Sequence, residues 1–225
     1  MNRLKYLTFF VLALCSVAHA DNTLERWLAH QAEITTWQAQ VIQIRRIKNL
    51  TNELSNPGTL QFIKPNQFRW ELGKPLRTLA IRDGAQLLIA YPRLQQAERY
   101  PFDKITDPAM KQALLLLEVG FPSDATLFYE QYAPLKTTLI NRENNKKVAI
   151  IELEPKAGGA RKLLEKVILE ITQEALLLEA NELHFSDGSS LRNEFTQQVF
   201  NSTLPESVLN VDLTGYEISE PLSQK

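Results

Sequence analysis

A hydrolase needs a nucleophile, a base and an orienting group that converge, or a metal with several ligands, and residue types for either are scarce in this chain. Its single cysteine is Cys15, and beyond position 20 only two histidines remain, His30 and His184. A lone histidine is more often a surface or hydrogen-bonded structural residue than a base or ligand. No His-x-x-x-His, nucleophile elbow or phosphate loop occurs. Gly158-Gly159 looks like half of a glycine loop, but no strand-to-helix unit surrounds it, and a flexible turn is expected there. Glu152 and Glu154 could suggest an acid pair of the glycosidase kind. They alternate with Ile151 and Leu153, so on a strand they share the solvent face while the apolar residues turn inward. Arg45-Arg46 and Lys146-Lys147 read as solvated strand ends rather than ligand clamps. The expectation is no catalytic residue, no metal site, no cofactor and no enzymatic activity.

Apolar and aromatic side chains are in surplus, together with four successive leucines, Leu114 to Leu117. Successive leucines on a helix point around more than one face, so some must pack on something other than the layer beneath, a lipid chain or a second covering element. The competing reading is ordinary core packing.

The elements that must position these side chains begin after a leader. Arg3 and Lys5 flank an apolar stretch from Tyr6 to Leu14, and Ala18-His19-Ala20 precedes Asp21. This pattern predicts a Sec signal peptide cleaved after Ala20 and a periplasmic location, since the stretch is too short to span a bilayer. Acylation at Cys15 is the lesser reading, because Leu12-Ala13-Leu14-Cys15 puts Leu14 where lipoprotein processing takes a small residue. Loss of Arg3 and Lys5 leaves 23 basic against 26 acidic side chains, a formal charge of −3. That balance argues against nucleic acid as a partner. Loss of Cys15 leaves no disulfide, so stability must come from a core, which about 205 residues can build in one β-domain. The longest later apolar run, Ala113 to Leu117, is five residues, and stable membrane insertion is not expected.

Residues 21 to 35 read as a helix, with Asn22 or Thr23 as cap and Leu24, Trp27, Leu28 and Gln31 on one face. From Thr36 to Lys48 alternation predicts a strand with Trp37, Ala39 and Val41 on one side. Asn56-Pro57-Gly58 predicts a turn, Thr59 to Ile63 a strand, Gln67 to Leu72 another, and Asp83-Gly84 a hairpin joining Arg77 to Arg82 with Gln86 to Tyr91. Gln95 to Tyr100 completes a meander. Thr106-Asp107-Pro108 opens a helix over Ala109 to Val119, and a second helical segment lies within Ser123 to Tyr132. Strands then resume at Lys136 to Asn141, Lys146 to Glu154, Leu163 to Thr172, Leu176 to Phe185, Ser190 to Phe200 and Ser207 to Leu213. The expected fold is mainly β with a few helices: an incomplete antiparallel β-barrel, or half-barrel, of about 10–11 strands. Residues 21–217 form one domain, and 218–225 a loose tail.

The stretch Gly58-Thr59-Leu60-Gln61-Phe62-Ile63-Lys64-Pro65-Asn66-Gln67-Phe68-Arg69-Trp70-Glu71-Leu72 resembles the outer-membrane lipoprotein carrier (LolA) family. Pro75, Asp83-Gly84 and Tyr91-Pro92-Arg93-Leu94 follow in that family's order. The resemblance implies a half-barrel with helices as lid. Its cargo would be an acylated lipoprotein or related lipid, handed from an inner-membrane extractor to an outer-membrane receptor by a monomer without cofactor. In the best-known carriers an arginine before the motif proline holds the lid shut. Here that position is Lys64, whose ammonium lacks the planar fork and would latch less specifically. The Arg69-Trp70-Glu71 version of the motif suggests a divergent branch.

Alternation places Leu60 and Phe62 on one face of their strand, and Phe68 with Trp70 on one face of the next. These four, with Leu114 and Leu117 from the lid, are the expected cavity lining, acting by dispersion and exclusion of water, at ~0.8 kcal/mol per buried CH₂. Two other functions compete. An interaction or lipid-sensor domain on the same fold would show a filled core and an exposed apolar patch, and a hydrolase of envelope glycans lacks the required residues.

Overall fold

Helix α1, Thr23–Glu33, turns Leu24, Trp27, Leu28 and Gln31 inward as the spacing predicts, with Thr23 buried beside them. Asn22 occupies the cap position without a side-chain cap bond. The computed structural model describes residues 22–106, 119–156 and 158–222. The expected leader at 1–20, with Cys15, lies outside those residues. So does the expected lid helix up to residue 118, with Leu114 and Leu117.

Twelve strands form one open sheet: β1 (Thr36–Arg46), β2 (Leu54–Ile63), β3 (Gln67–Leu72), β4 (Thr78–Arg82), β5 (Gln86–Tyr91), β6 (Gln96–Pro101), β7 (Tyr132–Asn141), β8 (Lys147–Pro155), β9 (Leu164–Thr172), β10 (Leu178–Phe185), β11 (Ser190–Phe200) and β12 (Glu217–Ser219). Their order is β12-β6-β5-β4-β3-β2-β1-β11-β10-β9-β8-β7, and every pair is antiparallel except β12 with β6. The sheet curls without closing, so the mainly-β incomplete barrel holds, with twelve strands rather than 10–11. Because β1 pairs with β11, the two halves of the chain meet in the middle of the sheet. β6 and β7 consequently sit near opposite margins, and the described part of the connection from residue 119 onward, called the crossing chain below, packs on the concave side through Phe121. Helix α2, Ala125–Gln131, belongs to that crossing; Asp124 caps it by accepting from the Leu127 amide at 2.9 Å.

The core fills the concave side. Trp37 stacks at 6.0 Å on Phe200 and tilts against Phe195 at 5.0 Å, while Trp27 meets Phe128 of α2 edge to face at 6.3 Å. Phe121, on the crossing, presses on Phe62 at 4.8 Å and Phe68 at 5.9 Å.

Four local expectations are corrected. Asn56-Pro57-Gly58 is no turn: it lies inside β2, with Pro57 opposite Ile42 and Gly58 opposite both Val41 and Leu72. A Cβ at Gly58 would stand 1.9 Å from the Glu71 carbonyl oxygen, so the glycine is there for close backbone approach. The Pro57 carbonyl still accepts from the Gly73 amide, which replaces a ladder bond. Ser207 to Leu213 is no strand: after a 3-10 turn at Glu206–Leu209 it runs as a strap over the convex face. There Leu209, Val211, Leu213 and Tyr216 cover Leu79, Ile81, Leu88, Ala90 and Ala97. Gly158-Gly159 opens a short helix, α3 (Gly158–Leu163), instead of a flexible turn. Ile218 and Ser219, in the expected loose tail, pair with β6 together with Glu217 before them, and Lys104 bridges Glu220 at 2.7 Å. The Asp83-Gly84 hairpin forms as expected and works through the aspartate, whose Oδ1 accepts from the amides of Ala85 and Gln86.

Candidate functional site

β4 and β5 each bury two faces, and this explains their composition, while β3 contributes its inward face. Leu79, Ile81, Leu88 and Ala90 turn to the convex strap, whereas Trp70, Ala80, Leu87 and Ile89 turn to the concave side. On the concave side, among the described residues, the strands do not pack fully against the crossing chain. They leave a cavity of about 150 Å³ whose apolar wall includes Phe68, Trp70, Leu72, Leu87 and Ile89 from this half. Leu183 and Leu191 close it from β10 and β11, and Val119 from the crossing chain.

Of the expected lining residues, Phe68 and Trp70 are in the cavity wall. Leu60 and Phe62 are not: they sit on the same face, buried in the core away from the cavity wall, with Phe62 against Phe121 at 4.8 Å. Sequence alternation shows which face a residue takes but not which part of that face is filled. Lys64 does reach a helical element. Its Nζ donates to the carbonyl of Ala32 in the last turn of α1, and its backbone amide bonds to the Thr35 carbonyl at 2.8 Å. The partner described for it is thus the N-terminal helix.

The cavity also has polar wall residues that the sequence reading passed over. Gln43, Asn193 and Asn181 lie in one register row across β1, β11 and β10. Gln43 Nε2 donates to Asn193 Oδ1 at 3.1 Å, and Asn193 Nδ2 donates to Asn181 Oδ1 at 2.9 Å. Both asparagines are buried. The available signal was polar residues at inward positions, Asn193 between Leu191 and Phe195, and Asn181 two before Leu183.

Charge is kept on the opposite face. Glu170, Glu182 and Arg192 alternate with the inward residues of β9 to β11, and Arg192 bridges Glu170 at 2.7 Å. Arg142 also pairs with Glu170. Burial by itself would raise the Glu170 pKa, but the hydrogen bonds from Arg192 and Arg142 prevail and hold it below the ordinary value of 4.5. Burial, with the hydrogen bond to Glu98 behind it, pushes the Tyr100 hydroxyl up to about 12. Glu152 pairs with Lys166 at 3.2 Å and Glu154 with Arg161 at 3.8 Å, consistent with a solvent-side face of β8. His184 lies 3.3 Å from Glu182, and His30 stands edge-on to Phe200. Among the described residues no group of His, Cys, Asp or Glu is arranged to hold a metal ion. Among them, too, no helix is long and apolar enough to cross a membrane.

Comparison with known proteins gives the same picture. The family model described as outer membrane lipoprotein carrier protein LolA matches residues 32–212. A protein of Methylibium petroleiphilum described as an outer-membrane lipoprotein carrier protein is 30% identical over 137 residues, covering 56% of this chain and 66% of that one. One of Dechloromonas aromatica with the same description is 27% identical over 197 residues, covering 88% of this chain and 85% of that one. The crystal structure of an uncharacterized conserved protein from Thermus thermophilus superposes with a TM-score of 0.53 at 10% identity, over 88% of this chain and 96% of that one. At that identity the likeness concerns the fold alone.

Proposed function

The chain belongs to the outer membrane lipoprotein carrier protein (LolA) family, and we propose that it is a periplasmic carrier that shields lipoprotein acyl chains on their way toward the outer membrane. The observation that supports this reading most is the apolar cavity between the concave sheet and the crossing chain, walled by Phe68, Trp70, Leu87, Ile89, Leu183 and Leu191. A volume of roughly 150 Å³ takes a guest the size of benzene. An acyl chain is larger, so loading requires the cavity to widen. The chain between β6 and β7 is the element that would move, since Val119 is in the wall and Phe121 caps the core beside it. Lys64 joining β2 to α1 would oppose such opening from the other end. Burial of methylenes at ~0.8 kcal/mol each supplies affinity without any covalent chemistry, so no catalytic step is assigned. Export by the leader at 1–20, collection from an inner-membrane extractor and delivery to an outer-membrane receptor complete the proposed path. Leu114 and Leu117 are its proposed lid contacts.

The test is native mass spectrometry of the protein purified from periplasm, with organic extraction of whatever travels with it. An acylated species that is lost from Ile89→Glu, with circular dichroism unchanged, is the expected result. Protein that is reproducibly empty and also refuses acylated peptide and fatty acyl probes would overturn the proposal and leave a protein-interaction role on the same fold.

A further inference from the structure

The amide row in the cavity wall ends on a donor that opens to the cavity and has no acceptor. Gln43 donates to Asn193 and Asn193 donates to Asn181, which leaves Asn181 Nδ2 as the terminal N–H group. Asn181 is 4% exposed and lines the cavity. Gly120 stands over it: a Cβ at that position would lie 2.7 Å from Asn181 Nδ2, so the missing side chain keeps the amide clear. Trp70, in the same wall, has a buried Nε1–H without an acceptor. A buried N–H left unmade is costly, and apolar side chains at Asn181 and its row would have left no open donor facing the cavity. An unfinished ladder in an otherwise apolar wall therefore points to an acceptor that arrives with the ligand.

We propose that Asn181, oriented through Asn193 and Gln43, is a polar subsite that receives the ester carbonyl of an acyl chain. The proposal rests on the acyl-carrier reading and adds to it the part of the cargo that is recognised. The strongest polar group that a saturated acyl chain brings into the cavity is its ester carbonyl, and a carbonyl accepts without donating. Donation along the row polarises each amide in the same sense, so an acceptor at Asn181 reinforces the two bonds behind it. The subsite would set the depth of the chain: carbonyl at Asn181, methylenes along Trp70, Leu87 and Ile89.

The experiment compares dioctanoylglycerol with its dioctyl ether counterpart, which keeps the chains and lacks both carbonyls, by competition against a fluorescent fatty acyl probe on the purified full chain. The ester is expected to bind about two- to tenfold tighter, the span of one neutral hydrogen bond. The carbonyl stretch of the ¹³C-labelled ester should shift to lower wavenumber on binding. Asn181→Leu should bring the ester-to-ether ratio to about one. Should that variant not fold, Gln43→Leu, which removes the start of the row, should reduce the ratio, and the carbonyl shift is read on unaltered protein. Equal binding of ester and ether with an unshifted carbonyl would overturn the subsite and leave the carrier reading standing. Binding of neither compound would overturn both.

Discussion

The ammonium of Lys64, at the end of β2, donates to the carbonyl of Ala32 in the last turn of α1, 32 residues earlier in the chain. The bond satisfies one of the carbonyls that a helix leaves open at its C-terminus, and it places a cation where the helix dipole favours one. It therefore ties the N-terminal helix to the strand that leads into Phe68 and Trp70.

Lys64→Met should lower stability by about 1 kcal/mol and speed hydrogen exchange in the last turn of α1, while Lys64→Arg should retain most of both. Thermal unfolding together with amide exchange measures this. Unchanged exchange at Gln31 to Ile34 in the methionine variant would show that the contact does not hold the helix.

Gly58 and Gly84 make a matched pair. Alanine at Gly58 would meet the Glu71 carbonyl and should cost about 3 kcal/mol or more, because β2 and β3 cannot separate without losing their ladder. Alanine at Gly84 meets nothing within 4 Å, and φ there lies outside the left-handed region; it should be neutral or stabilising by up to about 1 kcal/mol. Urea midpoints of the two variants decide it, and similar values would contradict the close-approach account.

Arg69 projects to the convex side of β3, where it donates to the carbonyl of Asn210 at 3.0 Å and pairs with Glu71 at 2.7 Å. Arg69→Met should loosen the strap, expose Leu79 and Ile81, and cost about 1–2 kcal/mol. Limited proteolysis should then cut between 203 and 216 faster than in the unaltered protein. Cleavage at the same rate would mean that the apolar contacts of Leu209 and Val211 suffice alone.

Glu170 gives a pH dependence of known sign. Its folded pKa is depressed, so the unfolded chain binds its proton first as pH falls, and the contribution of the charged group is present above 4.5 and lost below it. Stability should therefore fall on acidification through that range. Glu170→Gln should be less stable than the parent at pH 7, and the gap between them should narrow on going to pH 3. A gap that stays constant would show that the pairing with Arg192 and Arg142 contributes through packing alone.

Several of these features could be read from the chain and others could not. The face of α1 and the boundaries of most strands were legible because Trp27 and Leu28, or Trp37, Ala39 and Val41, repeat at helical or strand spacing within a few residues. The Asn-Pro-Gly triplet misled because turn propensity is also local: the need for a glycine at 58 arises from the Glu71 carbonyl of the next strand, and Pro57 is tolerated because the Gly73 amide meets its carbonyl. Ser207 to Leu213 alternates like a strand, yet its apolar side chains are spent on the convex faces of β4 to β6, leaving its backbone without sheet partners.

By itself the sequence determined the fold class, the family and the inward faces of the strands, since these follow from short-range periodicity and from the run Gly58 to Leu72. The tertiary structure alone decided which inward residues line the cavity. Leu60 and Phe62 share a face with Phe68 and Trp70, but Phe121 packs on Phe62 and on Phe68, and only Phe68 and Trp70 of the four also line the cavity. The tertiary structure alone also assembled the amide row, because Gln43 and Asn193 are 150 residues apart and become neighbours only when β1 pairs with β11. Cavities and polar rows are sums over distant strands, and no local pattern carries that information.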